Sequence, residues 1–293
     1  MVAVVLAAGE GRRLRPLTSL RPKPLCPVGG VALIDLALDR VAPAADEVAV
    51  NLHHGLDQLQ AHLDSRAGTV HRSVEEPEAL GTAGALGALR GWIDGRGVLV
   101  HNADAWCRAD LAAFVAGWDG ELVRVLVSSP SSPAEAATSS DPARSASALA
   151  RFGPRVGLVA TLLPWAEVAR LHPTPSGLYE TTLAAAAHQG RLDVVGHAGA
   201  FIDCGTPADY LAANLAAAAA GSGLGAEVDV DRSVIGVGAR ITGSVHASVV
   251  GSACQVAGRL DRCVLWDGAV VAEGESLRQV VRAPGLRRDV DCR

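Results

Sequence analysis

The residues best suited to do chemistry lie in LAAGEGRRLRPLTSLRPKPL, residues 6–25. An apolar run leads into Gly9 and Gly11, and Arg12, Arg13, Arg15, Arg21 and Lys23 follow within 15 residues of Gly9. Glycine tolerates positive φ and close contact, so G-E-G leaves backbone N–H groups open to a phosphate. Leu14 stands where a Rossmann fingerprint has its third glycine, and no G-K-[ST] follows as in a Walker loop. A glycine pair alone reads as a tight turn, and five cations alone as a solvated basic face. Together they read as a polyphosphate cradle, with arginine forks for bidentate contacts and a lysine as a compact point charge. The chain holds 25 arginines and a single lysine, Lys23, so that lysine stands out.

Two acids come next. Asp104 closes GVLVHNAD and Asp203 closes AFID, each at the end of an extended run entering a loop. Hard oxygen ligands for Mg²⁺ are commonly placed there, and Mg²⁺ needs few carboxylates when phosphates complete its shell. Taken singly, Asp104 reads as a helix cap and Asp203 as a turn former; beside a triphosphate cradle the pair reads as a metal site. A third stretch, EEPEALGTAGAL (75–86), puts Gly81, Thr82, Ala83 and Gly84 at a helix start with little bulk. A flat base could lie against such backbone, although a strand–helix turn capped by Thr82 explains the same residues.

The elements that must position these groups alternate. Residues 1–8, 47–52, 69–74 and 97–106 read as strands, and 32–41, 58–65 and 83–92 as helices. That alternation predicts an α/β fold with a doubly wound, mostly parallel sheet, whose ligands sit at the carboxyl ends of the strands. Residues 128–148 are rich in Ser, Pro and Ala, and structure is expected to resume at 155–164, 178–189 and 197–221. After GSGLGA (221–226) the period changes to six, as in Ile235 and Ile241, Val250 and Val256, and Leu265, Val271 and Leu277. Such spacing with small residues between suits a parallel β-helix of about three coils better than an antiparallel hairpin stack. The expected domains are 1–220 and 227–285.

Composition narrows the function classes. With 49% hydrophobic and 19% charged residues the chain is a folded one, and a net charge of −5 gives no global attraction to nucleic acid or anionic membrane. Six scattered cysteines without a C-x-x-C pair read as buried or free thiols. No run of about 18 apolar residues is present, and the first apolar run leads straight into Gly9, so a cytoplasmic protein is expected.

The quoted motifs, with NADAW and FIDCGTPADYLAAN, resemble in order those of the sugar-1-phosphate nucleotidylyltransferases, over about residues 2–217. The resemblance implies a Rossmann-like nucleotidyltransferase domain. It assigns Leu6, Ala8, Gly9, Gly11, Arg12, Glu76, Gly81 and Thr82 to nucleotide binding, and Arg13 and Lys23 to catalysis. Asp104 and Asp203 fall at the Mg²⁺ positions, and Gly157 and Glu180 at sugar-phosphate contacts. The implied partners are an NTP and a sugar-1-phosphate. L-G-T-A-G and the tail CVLWDGAVVAEGESLRQVV resemble mannose-1-phosphate guanylyltransferases, which favours GTP and implies a short C-terminal left-handed parallel β-helix. Uridylyl and thymidylyl transfer, and a non-catalytic nucleotide-sugar-binding subunit, are the alternatives. The repeats are expected to serve packing or homo-oligomerisation rather than acyl transfer. Three departures stand out: Arg12 replaces the usual Thr or Ser, Ala103 replaces a glycine, and the family's second lysine is missing. Arg144, Arg151 and Arg155 are the candidates to replace it.

Overall fold

The computed structural model describes residues 1–128, 157–221 and 232–293, with the backbone of 227 and 228. Most of the Ser/Pro/Ala-rich segment, together with Arg144, Arg151 and Arg155, lies outside the described residues, as do residues 222–226. The chain divides into two compact units that interleave in sequence. The first comprises Met1–Gly9, Leu36–Ala103 and Cys107–Phe201; the second comprises Glu10–Asp35, Asp104–Trp106 and Ile202–Arg293.

The first unit is built on a seven-stranded sheet. Its strands are β1 (Val2–Leu6), β2 (Glu47–Leu52), β3 (His71–Val74), β4 (Val98–Asn102), β5 (Val123–Ser128), β6 (Gly157–Leu163) and β7 (Leu192–His197). The spatial order is β7-β5-β6-β4-β1-β2-β3. All neighbours are parallel except β6, which runs antiparallel to both β4 and β5. The mostly parallel sheet expected from the alternation is therefore present, with one reversed strand. β1 is buried along nearly its whole length, as expected of a central strand covered on both faces. Helices α1 (Leu33–Val41), α2 (Leu56–Ser65), α3 (Gly81–Ile93) and α4 (Leu111–Ala116) connect strands, and the first of them carries the unit boundary. Val2, Val4, Leu86, Leu89, Ile93, Val100, Val125 and Leu163 form the centre of the unit's core.

In the second unit, residues 12–25 form three short 3₁₀ turns, Arg12–Leu14, Leu17–Ser19 and Lys23–Leu25. Helix α5 (Pro207–Ala219) opens with a reciprocal capping box, in which Thr206 and Asp209 satisfy each other's backbone N–H groups. The C-terminal residues then build three stacked parallel sheets. Val234, Val249, Val264 and Val281 pair in one, Arg240, Gln255 and Val270 in the second, and Ser244, Arg259 and Ser276 in the third. Parallel coils, not hairpins, explain the periodicity. Each early coil takes 15 residues, and its inward residues are separated unequally: Val250 to Val256 is six, Val256 to Leu260 four, and Leu260 to Leu265 five. The six-residue spacing joins adjacent faces of one coil, which is why it slips out of phase on the other two. Antiparallel strands end the stack on both sides, at Glu227–Val228 and Val290–Asp291.

Candidate active site

The second unit brings together the residues with the clearest chemistry. Gly11 has φ +66°, and a Cβ there would stand 2.9 Å from Lys23 Cβ and 3.1 Å from Thr18 Cγ2. Glycine is thus required twice, for the left-handed turn and for the close approach of Lys23. Thr18 Oγ1 donates to Gly11 O at 3.0 Å and ties the turn to the next one. Among the described residues, none accepts a hydrogen bond from the backbone N–H of Gly9 or Gly11.

Lys23 is 5% exposed and reaches two carboxylates. Its Nζ donates to Asp104 Oδ2 at 2.9 Å and to Asp203 Oδ1 at 3.2 Å. Both aspartates are far more open, with side chains 40% and 49% exposed. Asp104 occupies a turn between β4 and the short strand Ala105–Cys107 and caps no helix; its carbonyl accepts from Cys204 N at 3.2 Å. Burial disfavours the ammonium of Lys23, but the charges and hydrogen bonds of Asp104 and then Asp203 outweigh it and hold its pKa above the ordinary lysine value of 10.5. Lys23 is therefore a fixed positive charge. It has three N–H donors, of which the two aspartates take two.

The five cations of the loop separate into different roles. Arg13 Nη2 lies 3.5 Å from Asp203 Oδ2, and Arg13 is 70% exposed. Arg12 and Arg15 both pair with Glu10, Arg15 at 2.7 Å. Arg21 stacks on the Trp266 ring, 4.3 Å from its centroid. Gly205 completes the arrangement: a Cβ there would meet Arg13 Nη2 at 2.9 Å and Asp203 Oδ2 at 3.1 Å. Sequence reasoning passed over this glycine, although C-G-T-P directly after Asp203 was its signal. Cys26 and Cys204 flank the cluster as buried thiols, each pushed up to about 12 by burial, so neither is a nucleophile at neutral pH. All six cysteines are free and buried, as their spacing suggested.

The first unit holds the remaining sequence candidates. At the end of β1, Ala7 N donates to Asn51 Oδ1 at 2.7 Å, and Asn51 Nδ2 donates to Glu75 Oε1 at 2.7 Å. Glu75 Oε2 then accepts from Leu80 N at 2.7 Å, directly before the helix that Gly81 starts. Glu75 is 2% exposed, whereas Glu76, the residue named from the motif, is exposed. Asn51 and Glu75 link the strand leading into the glycine loop to the start of the G-T-A-G helix, and neither was foreseen. A polar residue on a buried position of EVAVNL was the available hint. Gly81 has φ +70°, and a Cβ on it would be 2.6 Å from Ser176 O. Gly84 and Gly87 likewise meet the backbone of Thr174 and His172. The small residues of this helix therefore admit the 172–176 segment, and Thr82 Oγ1 accepts from Leu178 N at 2.7 Å. Leu6 and Ala8 line the end of β1, half-buried and buried. Gly157 begins β6 with the Phe201 ring where a Cβ would stand, and Glu180 is exposed beside Gly177. His53 and His101 have partners: His53 Nδ1 bonds Glu75 O at 2.9 Å, and His101 Nδ1 bonds Val159 O at 2.7 Å.

Among the described residues, no three or more His, Cys, Asp or Glu side chains gather as a metal site, and no helix is long and apolar enough to cross a membrane. Residues 2–135 match the family described as Nucleotidyl transferase. The chain is 41% identical over 134 residues to the N-acetylmuramate alpha-1-phosphate uridylyltransferase of Caulobacter vibrioides, covering 42% of this chain and 55% of that one. It is 30% identical over 231 residues to a mannose-1-phosphate guanyltransferase of Schizosaccharomyces pombe, covering 72% and 62%. The chain thus spans about half to two thirds of the length of these two relatives. Among solved structures, one described as a putative glucose-1-phosphate thymidylyltransferase from Bacillus anthracis superposes with a TM-score of 0.59 at 20% identity, covering 74% of this chain and 95% of that one, and shows the shared fold. The N-terminal part of the chain is thus similar in sequence to nucleotidyl transferases, and these two relatives are named for two different bases.

Proposed function

We propose that the protein transfers a nucleotidyl group from an NTP to a sugar-1-phosphate, releasing pyrophosphate and forming an NDP-sugar. The observation that carries this reading is Lys23, buried between Asp104 and Asp203 with one N–H donor to spare. The nucleophile, a sugar phosphate oxygen, is already anionic at neutral pH, so no general base is needed. What the protein must supply is alignment of two anions and cations placed where charge develops on the departing pyrophosphate. The spare donor of Lys23 serves the α-phosphate, and the exposed Arg13 guanidinium serves the β/γ end. The backbone N–H groups of Gly9 and Gly11 stand open to the triphosphate.

The carboxylates suit a magnesium ion. They are half-exposed hard-oxygen donors converging on one ammonium, and Lys23 engages a single oxygen of each. Asp104 and Asp203 would hold Mg²⁺, which would neutralise phosphate charge there. Gly81 and Thr82 would border the base and ribose, and Gly157 and Glu180 the sugar phosphate. The C-terminal coil is read as left-handed, by resemblance to guanylyltransferase tails.

On the motifs alone, GTP with mannose-1-phosphate is the first substrate pair. The uridylyltransferase relative, at 41% identity over the nucleotide-binding half, favours UTP with an N-acetylated sugar-acid phosphate as the second. A pyrophosphate-release assay over four NTPs and a panel of sugar-1-phosphates tests the proposal. Release that requires both substrates supports it; nucleotide-sugar binding without turnover with any pair would leave only the regulatory-subunit reading.

A further inference from the structure

Residues 20–29, the segment that carries Lys23, are gripped on both sides of the lysine by one buried tryptophan of the C-terminal coil. Two residues before Lys23, the Arg21 guanidinium lies over the Trp266 ring at 4.3 Å from the centroid. Four residues after it, Pro27 O accepts from the Tyr210 hydroxyl, and that same hydroxyl accepts from Trp266 Nε1 at 3.0 Å. Trp266 is 2% exposed and Tyr210 0%, so neither ring has freedom to shift. Asn214, one turn along α5 from Tyr210, adds a bond from Gly29 N to its Oδ1 at 3.0 Å. Trp266 is in turn fixed by its own coil: its N–H donates to Arg282 O at 2.9 Å, and its carbonyl accepts from Cys254 Sγ at 3.3 Å.

A packing tryptophan needs only to fill space. This one uses both of its distinctive features, the cation-attracting face and the single N–H, and it spends them on residues 21 and 27. Arg21 has the ring as its partner and no carboxylate among the described residues, so the stack, not an ion pair, sets where that residue sits. Pro22 and Pro24 stiffen the chain on either side of Lys23, so displacement of residues 21 or 27 carries through to the lysine.

We propose that Trp266 is a positioning residue for Lys23, acting through Arg21 on one side and through Tyr210 and Pro27 on the other, so that the C-terminal coil is part of the transfer apparatus. This rests on the transfer reaction proposed above. It goes beyond it, because it assigns the coil a role in turnover that packing or oligomerisation does not include.

The test uses the full chain and the fact that Lys23 is its only lysine. Protein grown on ε-¹³C-lysine gives one lysine side-chain resonance, whose position reports the surroundings of Lys23 without substrate. Trp266→Leu is expected to shift that resonance and to lower kcat by about 10-fold to 10²-fold, with KM for the NTP changed less than about twofold. Trp266→Phe keeps a ring under Arg21 and should recover part of both. Should Trp266→Leu fail to fold, Arg21→Met and Tyr210→Phe each release one grip, and each should move the lysine resonance and lower kcat. Folded variants that all retain the wild-type resonance and kcat would overturn the inference. If the wild type turns over no substrate pair, the transfer reading falls, while the lysine resonance still decides whether Trp266 positions Lys23.

Discussion

Two side-chain clusters in the second unit each set one cation against two carboxylates, and they do opposite things. Arg282 is held by Glu275 and Asp289 in the coil; Lys23 is held by Asp104 and Asp203 beside the glycine turn. Arg282 spends all five of its donors. Nε and Nη2 reach Asp289 at 2.7 and 2.6 Å, Nη1 and Nη2 reach Glu275 at 3.0 Å each, and Nη1 also reaches Val270 O at 2.8 Å. The guanidinium fork closes both carboxylates in bidentate pairs and leaves nothing to offer a ligand. Lys23 touches one oxygen of each aspartate and keeps a donor in reserve. A closed cluster staples a coil; an open one can bind. The contrast explains why a chain with 25 arginines retains a lysine at position 23.

Breaking the open cluster should have the largest effect. Lys23→Met is expected to lower kcat at least about 10²-fold while the protein stays folded, read by pyrophosphate release with a thermal melt alongside. Asp203→Asn, which keeps the shape and removes the charge, should cost kcat about 10²-fold and raise the magnesium concentration needed for half-maximal rate. Arg282→Met should do the reverse: kcat within about twofold of wild type, but about 2 kcal/mol less stability in urea melts, because two carboxylates lose their partner. A kcat loss from Arg282→Met as large as that from Lys23→Met would erase the distinction.

A smaller effect sharpens it. Because the folded pKa of Lys23 lies above 10.5, its cluster contributes full stability below that pH and loses it only as pH climbs through the raised value. Melts of wild type and Lys23→Met should therefore converge in strongly alkaline solution, while wild type and Arg282→Met stay apart. Convergence of both pairs, or of neither, would contradict the assignment.

Much of the open cluster was legible in the sequence, because its parts are local. Gly11 needs a left-handed turn, Lys23 is a lone lysine, and Asp104 and Asp203 each close a strand. The structure adds what locality cannot show. Trp266 and Tyr210 matter through partners tens to hundreds of residues away, and nothing in their own neighbourhoods marks them. Glu75 and Glu76 look alike in the sequence, yet the Asn51 amide and Leu80 N–H bury one and leave the other in solvent. The small residues of G-T-A-G read in the sequence as room for a base, and only the structure shows that Gly81 and Gly84 also admit the backbone of 174–176. The coil shows the same limit. A spacing of six marked inward residues on adjoining faces, but the 15-residue rise between coils emerges only from strand pairing.

The most direct test is pyrophosphate release by wild type and Lys23→Arg, each assayed with NTP and Mg²⁺, with and without sugar-1-phosphate. Arginine keeps the charge but forks across both aspartates, as Arg282 does across its own pair. The account predicts sugar-1-phosphate-dependent release by the wild type and a loss of at least about 10²-fold in Lys23→Arg. Release that ignores sugar-1-phosphate, or an arginine variant that turns over at the wild-type rate, would contradict it.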